Sequence, residues 1–388
     1  MKTIIQILPS LDHSGGGVEK GTLDVAKELA EKKFKSIIIS SGGNMAEKYK
    51  HKGVIHITLP LNKKSIFNYY KIKSKIRKIF LELKPDLVHI RSRWPAFCIN
   101  KIVKQMDIPL VTTYHGTYSG NTNFFKKKYN SSIIQGDRII AISDFIKNEI
   151  KKYFPKSIKK TVLINRGIDV KYFDKNSINQ FRKEQQIKNL YLADGKHIIL
   201  LPGRLTRWKG HQVAINAANI LTKNNPDLNF LLVFVGSEQN KKKYLKSLKK
   251  KIVDLNLQNK VLIVGAQNDM PSIYSLCDVV LSTSTEPEAF GRVSAEACSM
   301  EKPIIASNHG GSKNIILNEK TGYLVEPNSP EKLAKLIFFV INKSQKEKDL
   351  MGKEARNRIL QKFNLTNMLS QTLNLYEELI NKKRNINN

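Results

Sequence analysis

Two carboxylates, Glu288 and Glu296, are separated by seven mostly small, apolar or glycine residues in the stretch "STEPEAFGRVSAEACSM" (284–300). Ionised carboxylates accept hydrogen bonds from hydroxyls, often two at a time. Three chemistries fit such a pair: a solvated helix end, a general acid/base couple, or a clamp on the hydroxyls of a sugar and a ribose. A second candidate, "LLPGRLTRWKGHQ", places Arg204, Arg207 and Lys209 where an apolar run gives way to a helical segment. A guanidinium fork and an ammonium group at a helix start can hold a diphosphate without metal. A merely solvated basic turn is the competing explanation, because basic residues abound in this chain. Three glycines at 15–17, in "SLDHSGGGVEKGTL", would let backbone amides approach an anion closely. They match neither the dinucleotide fingerprint nor the Walker loop, and a steric turn explains them equally well. His115, in "TYHG", closes another apolar run; taken alone it reads as an ordinary structural histidine.

Short apolar runs alternating with longer amphipathic segments must position these groups. "TIIQILP", "KSIIISS", "DLVHI", "PLVTTYHG", "RIIAIS" and "KTVLINRG" read as buried strands. "GVEKGTLDVAKELAEKKF" and "FNYYKIKSKIRKIFLELK" between them have helical length and period. After a polar stretch at about 169–196 the pattern restarts with "HIILLPGRL", "NFLLVFVG", "KVLIVGA", "DVVLSTS", "PIIASN" and "GYLVEP". Strand–helix alternation implies parallel sheet covered on both faces, hence an α/β chain of two Rossmann-like doubly wound domains. In such sheets ligands bind beyond the carboxyl ends of the strands, so a site shared across an interdomain cleft is expected. Glu288 then lies on the loop leaving "DVVLSTS", and Glu296 in the helix that follows.

At 388 residues the chain exceeds what one hydrophobic core supports, which again favours two domains. Lys and Arg number 66 against 33 Asp and Glu, a formal net charge of +33 that draws a protein toward nucleic acid, anionic membranes or phosphorylated substrates. Lysine, isoleucine and asparagine are abundant throughout, so compositional bias competes with function as its cause. Two runs stand out, "KKKYLKSLKKK" at 241–251 and an N-terminal one in which Lys63, Lys64, Lys71, Lys73, Lys75, Arg77 and Lys78 interleave with Ile66, Phe67, Tyr69, Tyr70, Ile72, Ile76 and Ile79. At helical spacing the N-terminal run gives a basic amphipathic face and a membrane-surface candidate. The three cysteines have no metal or disulfide spacing, pointing to a reducing compartment. No apolar run suits a membrane span, and "MKTIIQILPSL" is too short and too early broken by Pro9 for a signal peptide. A cytoplasmic protein, peripheral on the inner face of the membrane, is the expectation.

Together these residues resemble a retaining glycosyltransferase of family 4, of the GT-B class. The glutamates match its E-x7-E motif, "GRLTRWKG" its phosphate site, and "YHG" its N-domain histidine motif. The glycine loop, "LINRGID" and "GGSKNIILNEKTGYLVEP" extend the match over nearly the whole chain in order. The resemblance implies an N-terminal acceptor-binding domain (1–170), a donor-binding domain (171–362) and a C-terminal helix (363–388) crossing back to the first. It implies that Arg204 and Lys209 bind the donor diphosphate with the amides of Gly16 and Gly17. Glu296 would bind the ribose and Glu288 the sugar hydroxyls, with the amides of Phe290 and Gly291 alongside and His115 near the transferred sugar. Two positions depart from the family pattern: Arg166 replaces a common asparagine, at an acceptor contact or the hinge, and "HGGSKNII" carries Lys313 and no acid.

The implied reaction moves a hexose or N-acetylhexosamine, with retention, from a nucleotide sugar such as UDP-glucose, UDP-N-acetylglucosamine or GDP-mannose. The acceptor would be a glycolipid or lipid-linked saccharide of bacterial lipopolysaccharide or envelope assembly. No D-x-D motif is present, so no metal cofactor is expected. A phosphorylase or a soluble-acceptor enzyme of the same architecture is the first rival. A nucleic-acid-binding protein is the second, disfavoured because the charge is spread over both halves and no recognition motif appears.

Overall fold

The computed structural model describes residues 1–12, 17–48, 53–119, 122–190, 195–239 and 241–387. They fall into two units. The first comprises Met1–Asn165 and the C-terminal stretch from Thr366; the second is Arg166–Leu365. Each is a parallel sheet with helices between its strands, so the chain is two Rossmann-like α/β domains.

In the first unit, β1 (Thr3–Ile7), β2 (Lys35–Ser40), β3 (Val54–Thr58), β4 (Leu87–Ile90), β5 (Leu110–Tyr114), β6 (Arg138–Ala141) and β7 (Thr161–Leu163) lie in the order β3-β2-β1-β4-β5-β6-β7. Every pairing is parallel, with Ile5 beside Ile37 on one side and Val88 on the other. Chains of Ile, Val and Leu buried on both faces make this arrangement favourable. β3 is the exception: an edge strand, half-exposed and carrying His56, it lacks the continuous apolar run that marks the others. The strand reading from sequence omits it for that reason.

The helix Ile66–Leu83 starts at Ser65, whose hydroxyl accepts from the Asn68 amide, and stops at Lys84 in the left-handed region (φ 42°). Ile72, Ile76 and Phe80 on it are buried, each contributing roughly 1.5–3 kcal/mol to the core. The expectation that this apolar stripe faces a membrane is therefore corrected: period 3.6 defines a stripe, and here the body of the stripe faces the sheet. Of the helix's apolar residues, Ile66, Phe67 and Tyr70 in the first turns and Leu81 near the end are left exposed.

The helix Leu365–Asn387 buries Leu373, Leu375, Tyr376, Leu379 and Ile380. Tyr376 is fully buried and hydrogen-bonds His89 Nδ1 in β4, while His89 Nε2 meets Thr113 Oγ1 of β5 at 2.7 Å. Arg384–Asp86 (3.1 Å) and Arg138–Glu378 (2.9 Å) add ion pairs.

In the second unit, β8 (His197–Pro202), β9 (Phe230–Val235), β10 (Val261–Val264), β11 (Val279–Ser282), β12 (Ile304–Ser307) and β13 (Tyr323–Val325) run in the order β10-β9-β8-β11-β12-β13. From β8 the chain winds outward through β9 and β10; from β11 it winds the other way. The reversal falls between β8 and β11, which opens a crevice at the carboxyl ends of those two strands. The corresponding reversal in the first unit lies between β1 and β4.

Candidate functional site

The crevice of the second unit is walled by three loops. The turn after β8 carries Arg204 and, in a single 3₁₀ turn, Arg207–Lys209. Gly210 follows at φ 73°, and a Cβ there would stand 1.8 Å from the Thr283 carbonyl oxygen. Only glycine permits that approach. The exit of β11 then grips the turn: Thr283 Oγ1 donates to the carbonyls of Lys209 (3.1 Å) and Gly210 (3.3 Å), and the Thr285 amide donates to that of Trp208 (2.7 Å).

The third loop follows β12. Gly310 (φ 61°) and Gly311 lie against Glu288 and Phe290 so closely that Cβ atoms would meet their backbone at 2.5 and 2.2 Å. The Gly311 amide donates to the Glu288 carbonyl (2.7 Å), and His309 Nε2 donates to the Ser284 carbonyl (2.8 Å). Gly291, at φ 89°, caps the helix Arg292–Ser299 and packs on Ser312. Phe290 is buried. The glycines of "HGGS" and "FGR" thus let two loops stack backbone to backbone, holding Glu288 at a fixed height in the crevice.

Within these walls Lys209 Nζ lies 2.7 Å from Glu288 Oε1, with side chains only 12% and 11% exposed. Ser284 Oγ donates to the same oxygen at 2.5 Å and Ser282 Oγ reaches it at 3.5 Å. Burial pushes the Glu288 carboxyl up, but the Lys209 charge and the hydrogen bonds from Lys209, Ser284 and Ser282 outweigh it and hold the pKa below its ordinary value. Lys209 also lies 4.5 Å from the Trp208 ring centroid, over which the Arg204 guanidinium stands at 5.9 Å. Arg204 itself is exposed, anchored to Gln239 by one 3.2 Å bond. A fixed ammonium and an available guanidinium beside a buried anionic carboxylate can accept an anion on one side and hydroxyls on the other.

Glu296 sits in the helix Arg292–Ser299 and is almost wholly buried. Its Oε2 accepts from Tyr274 OH at 2.9 Å and its Oε1 from Arg292 Nε at 2.6 Å. Burial, then the Glu296 charge, push the Tyr274 phenol well above its ordinary pKa, so it stays a donor. Both oxygens are oriented, each retaining a lone pair for a ligand hydroxyl.

Sequence reasoning missed Ser282, Ser284, Trp208, Tyr274 and Arg292. The serines show a signal in hindsight, small hydroxyl residues between a strand end and an acid. Tyr274 does not, being 22 residues from its partner.

In the first unit, Gly17 opens the helix Gly17–Glu31, and Gly16 lies outside the described residues. His115, half-buried, directly follows β5. Arg91, another residue not singled out from sequence, sits at the end of β4, at the sheet's reversal. Its guanidinium donates twice to Gln6 Oε1 (2.9 and 2.7 Å), and Gln6 Nε2 donates to the Thr22 carbonyl of the first helix (3.1 Å). Arg166 is the first residue of the second unit, where the chain passes between the two. Lys313 is exposed on the short helix Ser312–Ile315.

Two family models match the chain: Glycosyltransferase Family 4 over residues 15–172 and Glycosyl transferases group 1 over residues 182–358. A solved glycosyltransferase from Rickettsia africae is 34% identical, with a TM-score of 0.89 and 98% of each chain covered. Anabaena HepE, solved with UDP-glucose, shares the fold at 21% identity and a TM-score of 0.81, covering 97% of this chain and all of that one. The Escherichia coli UDP-Gal:alpha-D-GlcNAc-diphosphoundecaprenol alpha-1,3-galactosyltransferase is 26% identical over 98% of this chain and 97% of its own length.

Proposed function

The chain belongs to the glycosyltransferases described by those two family models, and from that premise we propose that it transfers a hexose or N-acetylhexosamine from a UDP-sugar to a hydroxyl of a lipid-linked glycan, retaining the anomeric configuration and using no metal. The observation that carries the reading is the cluster of Lys209, Arg204 and Glu288 at the reversal between β8 and β11. Arg204 and Lys209 neutralise the diphosphate with the amides of Gly16 and Gly17, and the amides of Phe290 and Gly291 stand alongside Glu288. Glu296 takes the ribose hydroxyls, Glu288 the sugar hydroxyls, and His115 lies near the transferred sugar. Arg166 serves the acceptor or the hinge.

As the bond from the anomeric carbon to the diphosphate oxygen breaks, charge grows on the leaving phosphate, where fixed cations stabilise it more than in the ground state. The acceptor oxygen attacks the same face and its proton passes to the departing phosphate. Glu288, already held as an anion by Lys209 and Ser284, serves as a hydroxyl acceptor and field source and not as the nucleophile. Appreciable turnover by Glu288→Gln supports that assignment; abolished turnover with trapping of a glycosylated Glu288 in the wild type overturns it. A uridine donor and a lipid-linked acceptor are supported by the relatives' names. The acceptor in turn favours action at the inner face of the cytoplasmic membrane, in envelope or lipopolysaccharide assembly. Calorimetric titration with UDP, GDP and ADP in metal-free buffer, beside Glu296→Ala, tests the donor site. The expected result is UDP binding without metal that the substitution weakens; equal or absent binding of all three refutes it.

A further inference from the structure

We infer that the first unit carries a docking surface for an anionic lipid bilayer, assembled by the first turns of the helices Ile66–Leu83 and Phe124–Asn130. Ile66 (79%), Phe67 (76%), Tyr70 (65%), Phe124 (74%) and Phe125 (79%) are exposed to a degree uncommon for such side chains. An aromatic chain joins the two helices: Tyr69 contacts Tyr70 (5.2 Å between centroids) and Phe97 (5.8 Å), and Phe97 contacts Tyr129 (5.7 Å). The Lys64 ammonium lies 5.8 Å from the Tyr129 ring, closing the link from the other side. The two exposed turns therefore border one surface.

Its charge selects the occupant. Lys63, Lys64, Lys71, Lys75 and Lys126–Lys128 are all exposed around it, and residues 63–81, 93–105 and 122–135 contain no Asp or Glu. Phenyl and aliphatic groups without polar tips suit the boundary of headgroup and acyl chain, and lysines around them reach lipid phosphates while their stems stay apolar. Phe124 and Phe125 meet edge to face at 80°, a geometry that does not make a platform for stacked bases. The surface gives a membrane-embedded acceptor a bilayer to be drawn from. It rests on the lipid-linked acceptor reading for that purpose only.

The test is cosedimentation of the full chain with vesicles of phosphatidylcholine, alone or mixed with phosphatidylglycerol, at low and high salt, beside calorimetry with UDP. The expected result is salt-sensitive binding to the phosphatidylglycerol vesicles. Each lysine near the surface is worth about fivefold in partitioning, so Lys126→Gln, Lys127→Gln and Lys128→Gln combined lower it roughly 100-fold. Phe124→Ser with Phe125→Ser lowers it at least about tenfold. UDP affinity is unchanged in both variants, whose altered side chains are solvent-exposed. No vesicle binding, variants that bind like the wild type, or equal binding to single-stranded RNA with the same sensitivity to these substitutions would each overturn the inference. Failure of UDP to bind while vesicle binding and its sensitivity persist refutes the donor reading and leaves the surface standing.

Discussion

Replacing Lys209 by methionine removes an ammonium from a buried pair and leaves Glu288 with only two serine hydroxyls. With both side chains nearly nine-tenths buried, loss of one partner costs about 3–5 kcal/mol, and the serine bonds that persist place the expectation near the lower end, about 3 kcal/mol. For a unit of this size that lowers its Tm by roughly 6–12 °C. The variant should also lose about 10²–10³-fold in kcat, the cost of deleting one preorganised group from a developing oxyanion. Pairing the change with Glu288→Gln separates the two effects. The double variant removes the stranded carboxylate and should regain most of the stability, while turnover of the UDP-sugar stays low. Urea denaturation and donor turnover, measured side by side on wild type, single and double variants, check both. A double variant as unstable as the single would refute the argument that an unpaired buried charge is the cause; a single variant as stable as wild type would refute the burial argument altogether.

Glu288 has a folded pKa below its unfolded one, so the unfolded chain takes up the proton first as pH falls. The stability it contributes is complete above the ordinary carboxylate pKa of about 4.3 and is lost as pH drops through the lower folded value. The stability difference between wild type and Glu288→Gln, from urea titrations, should accordingly narrow below about pH 4; a difference independent of pH sinks the linkage. Gly310→Ala adds about 1–2 kcal/mol of left-handed strain and drives a Cβ to 2.5 Å from the Glu288 carbonyl, so UDP affinity should fall more than about tenfold by calorimetry. Arg292→Gln frees one oxygen of Glu296 and should raise the donor KM about tenfold with kcat nearly unchanged, partly recovered by Arg292→Lys; an equal loss in kcat argues for a merely structural arginine. Tyr376→Phe strips His89 Nδ1 of its partner, destabilising the first unit by about 1–3 kcal/mol on thermal denaturation while leaving UDP affinity intact.

The amino-acid sequence by itself determined the parts whose physics is local. Continuous apolar runs marked every strand except β3, whose edge position leaves no such run to read. The E-x7-E spacing and the "RWKG" turn were legible because each is set within one strand exit and one helix start. Tertiary structure decided what the local pattern leaves ambiguous. A helical stripe does not say which side of the helix meets the sheet, and Ile72 and Ile76 are core while Ile66, Phe67 and Tyr70 are surface. Contacts between residues far apart in sequence were equally hidden: Lys209 with Glu288, 79 residues away, and His89 with Tyr376, 287 away. Periodicity and spacing encode what a residue does to its near neighbours along the chain. Which distant side chain will neutralise a buried charge is settled only when the sheet order brings two strand ends side by side.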